Sequence, residues 1–108
     1  MPAAWVEGSI TMDGTEQTLV EVTTARSVDG YLDLSPMQNG DEIVIRLYGK
    51  IKSDGEYRLY EDAKIAGAQP KPLFYIHRRP TRYGWKITIQ QTAGTYRTFD
   101  YQFVLTLV

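Results

Sequence analysis

Apolar and polar residues alternate one by one along almost the whole chain, and glycine and proline interrupt the alternation at short intervals. A strand sends successive side chains to opposite faces, whereas a helix brings them round only every 3.6 residues or so, about two turns per heptad, so this period of two describes strands with one dry face. The pattern is strongest from Glu42 to Lys52, where Ile43, Ile45, Leu47 and Ile51 share one face and Val44, Arg46, Tyr48, Lys50 and Lys52 the other. The C-terminal run repeats it, with Phe99, Tyr101, Phe103, Leu105 and Leu107 on one face and Asp100, Gln102, Val104 and Thr106 on the other, which suits a strand in the middle of a sheet. Trp85 to Thr92 sets Trp85, Ile87 and Ile89 against Lys86, Thr88 and Gln90. Shorter runs at Trp5 to Met12, Gln17 to Ala25, Tyr31 to Leu34, Tyr57 to Ile65 and Leu73 to Arg78 bring the expected number of strands to eight.

Turn chemistry punctuates these runs. Asp13-Gly14, Asp29-Gly30, Asn39-Gly40, Asp54-Gly55 and Ala93-Gly94 are read as turns, because such pairs tolerate the positive φ that tight hairpins need. Ser53 to Glu56 is the best hairpin signal. Pro36, Pro70, Pro72 and Pro80 are expected outside strand cores, with loops over Gly67 to Pro72 and Arg79 to Gly84. Eight strands and short connections in 108 residues predict one all-β domain, residues 1–108, an antiparallel β-sandwich. An immunoglobulin-like sandwich and a small barrel also fit. The jelly-roll arrangement is preferred because Leu32 to Met37, followed by Gly40-Asp41, looks like a chain closing one sheet and opening the next.

Composition excludes several chemistries. The chain has no cysteine, so neither a disulfide framework nor a thiolate nucleophile is available. His77 is the one histidine, and Ser9, Ser27, Ser35 and Ser53 lack the context of a catalytic serine. Among the acids, Asp13, Asp29 and Asp54 precede glycines and are read as turn residues. Asp33, Asp41, Glu42, Glu61 and Asp62 are read as surface groups, with Glu61 and Asp62 on opposite faces of one strand. No phosphate-binding glycine cluster occurs. No catalytic residue, metal site or cofactor is therefore expected, and no signal peptide or membrane helix is seen. Net charge is −1 but unevenly spread: residues 1 to 63 hold twelve acids and five bases, a charge of −7, and residues 64 to 108 hold one acid and seven bases, a charge of +6.

The candidate partner-binding residues fall in the basic part. Tyr75, His77, Arg78, Arg79, Arg82, Tyr83 and Lys86 interleave cations with aromatic rings, a mixture found at protein interfaces and also on solvated loops. The same mixture can track phosphates, but the nearly neutral net charge argues against a nucleic-acid binder. Tyr48, Tyr57, Tyr60, Tyr75 and Tyr83 could instead stack on sugar rings, which makes a carbohydrate-binding module the alternative function.

Four segments carry a resemblance. Asp13 to Leu19, Met37 through Gly40-Asp41 into Ile43 to Tyr48, Gly55 to Tyr60, and Gln90 to Tyr96 together resemble small β-sandwich virion proteins of tailed phages and related archaeal viruses. The resemblance implies a non-enzymatic capsid decoration protein that docks on a protein lattice. It also implies a location in the virion after synthesis in the host cytoplasm, and it transfers no site residue. Cover for sandwich edges and opposite charge on the two parts of the chain lead to the expectation of a homo-oligomer, possibly a trimer.

Overall fold

The computed structural model describes residues 4–107, the side chains of Arg78, Arg79, Thr81 and Leu107 excepted. Eight strands follow one another: β1 (Ala4–Thr11), β2 (Gln17–Val22), β3 (Arg26–Asp33), β4 (Glu42–Gly49), β5 (Arg58–Ala66), β6 (Leu73–Thr81), β7 (Trp85–Ala93) and β8 (Thr98–Leu107). They form two antiparallel four-stranded sheets in the orders β1-β8-β3-β6 and β2-β7-β4-β5. Consecutive strands lie in different sheets up to β4, and again from β5 onward, which makes the sandwich a jelly roll. The β8 strand lies inside its sheet between β1 and β3, and the chain crosses between sheets after Asp33, as the sequence predicts. Four connections (β1–β2, β3–β4, β5–β6, β7–β8) gather at one end of the sandwich and three (β2–β3, β4–β5, β6–β7) at the other.

Three expectations about strands and turns are overturned. Asp29-Gly30 is no turn: β3 runs straight through it, with Gly30 opposite Phe103 of β8 and Ile76 of β6. The loop expected from Arg79 shrinks to residues 82–84, because β6 continues to Thr81 and includes Pro80; β6 is the outer strand of its sheet, a position that tolerates proline. Finally, β4 stops at Gly49, where the Lys50 N–H donates to the Gly84 carbonyl at 3.1 Å, and a turn closed by Gly55 N–H on the Lys52 carbonyl follows at 3.0 Å. Ile51 therefore leaves the inner face and stands 81% exposed.

Inward-facing side chains of both sheets make the core, with Leu32, Ile43, Ile45, Ile87, Ile89, Phe99 and Phe103 wholly buried. Aromatic rings lie over glycines on neighbouring strands at three places: Tyr101 over Gly8, Phe103 over Gly30 and Trp85 over Gly49. Each glycine makes room for the ring, and the ring replaces the packing that a glycine lacks. Gly30 is the most confined, because a Cβ there would overlap both the Phe103 ring and the Gln102 carbonyl.

The four-loop end is tied by one carboxylate. Asp41, expected at the surface, is instead buried at 2% exposure, because its carboxylate accepts hydrogen bonds from the Gln38 N–H at 2.9 Å, the Thr95 N–H at 3.1 Å and the Arg97 Nε–H at 2.7 Å. Its own carbonyl accepts from the Gly67 N–H at 2.9 Å, so three of the four connections meet on this residue. Gln91, also buried, braces the same place by donating to the Ala93 and Thr95 carbonyls and accepting from the Arg97 N–H. The Arg97 hydrogen bond, helped by the Gln38 and Thr95 amides and opposed by burial, holds the Asp41 carboxyl below its ordinary range.

Two outcomes follow from this packing. Gly30→Ala is expected to destabilise the fold by about 3 kcal/mol, since the added methyl must displace a backbone carbonyl as well as a ring; urea denaturation measures it. Asp41 ionises more readily in the folded chain, so its contribution is complete above the unfolded-state pKa of about 3.9 and disappears as pH falls through the lower folded value. Asp41→Asn is therefore expected to cost about 2 kcal/mol at pH 7 and to narrow its deficit towards pH 2, measured by urea denaturation at both pH values.

Candidate functional site

Two surfaces concentrate side chains that the core does not use. The first is the three-loop end. Ile51, Leu59 and Tyr60 are 81%, 54% and 61% exposed, and they border a groove of about 360 Å³ whose floor includes Trp85. Trp85 is held there by its Nε1–H on the Pro80 carbonyl at 2.8 Å and by edge-on contact with the Tyr60 ring at 5.2 Å. Lys50, Arg58 and Arg82 rim the groove. The β4–β5 connection creates this surface: once β4 ends at Gly49, Ile51 lies beyond the paired residues, and Leu59 and Tyr60 of β5 stand next to it where the β4–β5 register shifts.

The second surface is the outer face of the β1-β8-β3-β6 sheet. Tyr31 and Tyr75 are paired across β3 and β6 with ring centroids 5.0 Å apart, and the His77 ring stands edge-on to Tyr75 at 4.7 Å. The Tyr75 hydroxyl donates to Asp29 Oδ2 at 3.0 Å. Beside Tyr31 an open groove of about 580 Å³ carries Glu7, Ser9, Asp33, Asp100 and Gln102. Asp33 and Asp100 face each other directly in the β3–β8 register, and the Ser9 hydroxyl donates to Asp100 at 2.5 Å.

The seven residues singled out in the sequence divide between these surfaces and a third. Tyr75 and His77 lie on the outer face of β6, with Arg78 and Arg79 next in the same strand; the side chains of these two arginines are outside the described residues. Arg82 and Tyr83 form the β6–β7 turn, where the guanidinium sits 5.3 Å from the Tyr83 ring centre. Lys86 points from the opposite sheet, its ammonium 5.0 Å from the Tyr48 ring and 5.1 Å from the Tyr57 ring. That third cluster is largely self-satisfied. Burial opposes ionisation of Glu16, but the Thr88 and Tyr48 hydroxyls and the Arg46 guanidinium 3.5 Å away overcome it and lower its pKa. Burial, with a hydrogen bond to Glu21, pushes Tyr57 up to about 12.

Ile51, Leu59 and Tyr31 belong to these surfaces without having stood out in the sequence, whereas Asp33 is at the surface as its sequence reading expects. Alternation assigns Ile51 to the core, and only the end of pairing at Gly49 turns it outward. The uneven charge along the chain is also redistributed, since β6, β7 and β8 are each laid beside strands from the acidic part. Lys64 pairs with Glu42 at 3.4 Å and Arg97 with Asp41 at 2.7 Å, joining the two parts of the chain directly.

No protein-family model and no curated protein matches the sequence. Solved structures do match. The chain aligns over 98% of its length with a chain of the infectious bursal disease virus VP2 subviral particle, at 17% identity and a TM-score of 0.56, and spans 32% of that chain. A structure of the Gt strain of the same virus matches over 98% of this chain and 33% of that one, at 16% identity and a TM-score of 0.52. A chain from Bacillus endospore appendages, described as disulfide-linked pili, matches over 99% of this chain and 88% of that one, at 16% identity and a TM-score of 0.57. At these identities the likeness is one of fold: the eight-stranded sandwich of this chain is shared with chains of a viral particle and of a pilus.

Proposed function

We propose that this chain is a non-enzymatic structural subunit that associates with copies of itself and docks on a larger protein lattice, as a capsid decoration protein does. The observation that carries this reading is the three-loop end, where three large apolar side chains stand exposed together inside a rim of cations. Large apolar groups clustered in this way favour contact with another protein, and arginine with aromatic rings is the composition of interface centres. The jelly roll shared with particle and pilus chains supports the same reading. The pilus chains are described as disulfide-linked, whereas this sequence has no cysteine, so its own contacts would be non-covalent. Tyr75, His77, Arg78 and Arg79 along β6, Arg82 and Tyr83 at its turn, and Lys86 on β7 are the candidate lattice contacts.

A second reading, carbohydrate binding, draws on the outer face of the first sheet. Tyr31 and Tyr75 offer rings for stacking next to a groove lined by carboxylates and by Gln102, groups that can bind hydroxyls.

Sedimentation velocity across a concentration series is expected to show oligomers, with a trimer the expected small species, and a monomer at every concentration would refute self-association. Arg78→Glu, Arg79→Glu and Arg82→Glu combined are expected to reduce assembly or lattice docking with the melting temperature little changed. On a glycan panel, the subunit reading expects no retained sugar; binding that is lost in Tyr31→Ala would establish the second reading in its place.

A further inference from the structure

We infer that copies of this chain stack head to tail, the three-loop end of one receiving the four-loop end of a second copy; this rests on the structural-subunit reading above and specifies its contact. Among the described residues, the three connections and terminal strand residues of the first end hold Arg26, Lys50, Lys52, Arg58 and Arg82 against Asp54 and Glu56, a charge of +3. The same count at the other end sets Asp13, Glu16, Asp33, Asp41 and Glu42 against Lys71 and Arg97, a charge of −3. Strands of six to ten residues at about 3.3 Å each run between the two ends and hold them roughly 20 to 33 Å apart. The opposite charges therefore stand at opposite ends of the sandwich, more than two screening lengths of about 8 Å apart at physiological salt.

This arrangement selects one mode of self-contact. Two three-loop ends, or two four-loop ends, would bring like charge against like charge, which disfavours a two-fold dimer through either end. Contact between unlike ends is attractive and heterologous, so it repeats from copy to copy, closing into a ring if the rotation allows and running on as a filament if it does not. Apolar surface is present on both sides. Ile51, Leu59 and Tyr60 border the groove at the basic end, while Tyr96 and Leu73 are exposed at the acidic end, Tyr96 packed against the turn that holds Asp13. Burying these groups supplies affinity, and the charges supply orientation and encounter rate.

The test uses the full chain in low salt. Lys52→Glu, Arg58→Glu and Arg82→Glu combined reverse the basic end at exposed positions. Asp13→Asn with Asp33→Asn neutralises part of the acidic end while keeping an oxygen to accept from the Thr15 and Ser35 N–H groups, each bonded at 2.9 Å in the parent. Sedimentation velocity is expected to show association weakened about tenfold or more by the first set, less by the second, and in the parent by added salt. Because the chain lacks cysteine, Ile51→Cys and Tyr96→Cys variants can be mixed with a short bis-maleimide, and the 1:1 mixture is expected to cross-link far better than either variant alone. If the parent associates but both charge variants match it, or if Ile51→Cys cross-links alone as well as in the mixture, the head-to-tail contact is overturned and the subunit reading stands. A parent that remains monomeric throughout overturns both.

Discussion

The Phe103 ring over Gly30 is the contact on which the sandwich depends. Without disulfides, and with no helix among the described residues to cover a sheet, the domain is held by two inner faces that interlock. Phe99 and Phe103 on β8 are the largest side chains wholly buried in that space, and Phe103 fits because β3 presents no side chain opposite it. Tyr101 over Gly8 and Trp85 over Gly49 repeat the device towards the margins. The core is thus a set of matched pairs across strands, in which ring and glycine depend on each other. Substitution at either member exposes the other to a void or a clash.

Much of this was legible in the sequence. Period-two alternation located seven strands, the second half of β3, and the inner faces of β4, β7 and β8, because burial on one side of a sheet acts on each residue in turn. In the run Leu73 to Arg78 the same period separates Phe74 and Ile76, which the structure turns inward, from Tyr75 and His77, which it turns outward. The errors came where a local signal met a long-range demand. Asp29-Gly30 has the chemistry of a hairpin turn, yet Gly30 is there for a ring seventy-three residues later in the chain, and only the β3–β8 register reveals it. Ile51 keeps the phase of β4 after the pairing has ended. The candidate site was the least legible part, because neighbours along the chain between Tyr75 and Lys86 are distributed by a change of sheet onto different faces.

Charge followed the same logic. The acidic and basic parts of the chain are woven together strand by strand, and their sequence asymmetry does not survive as two sides. It is replaced by an asymmetry between the ends, which arises because connections at one end draw on Lys50, Lys52 and Arg82 while those at the other draw on Asp13, Glu16 and Asp41. At the acidic end one of these carboxylates is spent internally, since Asp41 binds three loops together and is covered by Arg97. The remaining acids close turns or pair with neighbours and still face solvent, so structural and surface roles coincide in the same residues.

The position of β8 also governs how the domain can form. In the first sheet β1 and β3 do not pair with each other; each is joined to the other through β8, which follows both in the chain. β3 can pair with β6 before β8 is made, but β1 has no partner in its sheet, and Gly8 and Gly30 lack their rings, until the ten-residue β8 is available to enter between β1 and β3. Closure of so long a loop is slow compared with hairpin formation, and the β4–β5 hairpin, being local, can form while the first sheet is still open. Folding of this domain is thus ordered by its topology, with the second sheet free to start early and the first completed in a single late insertion.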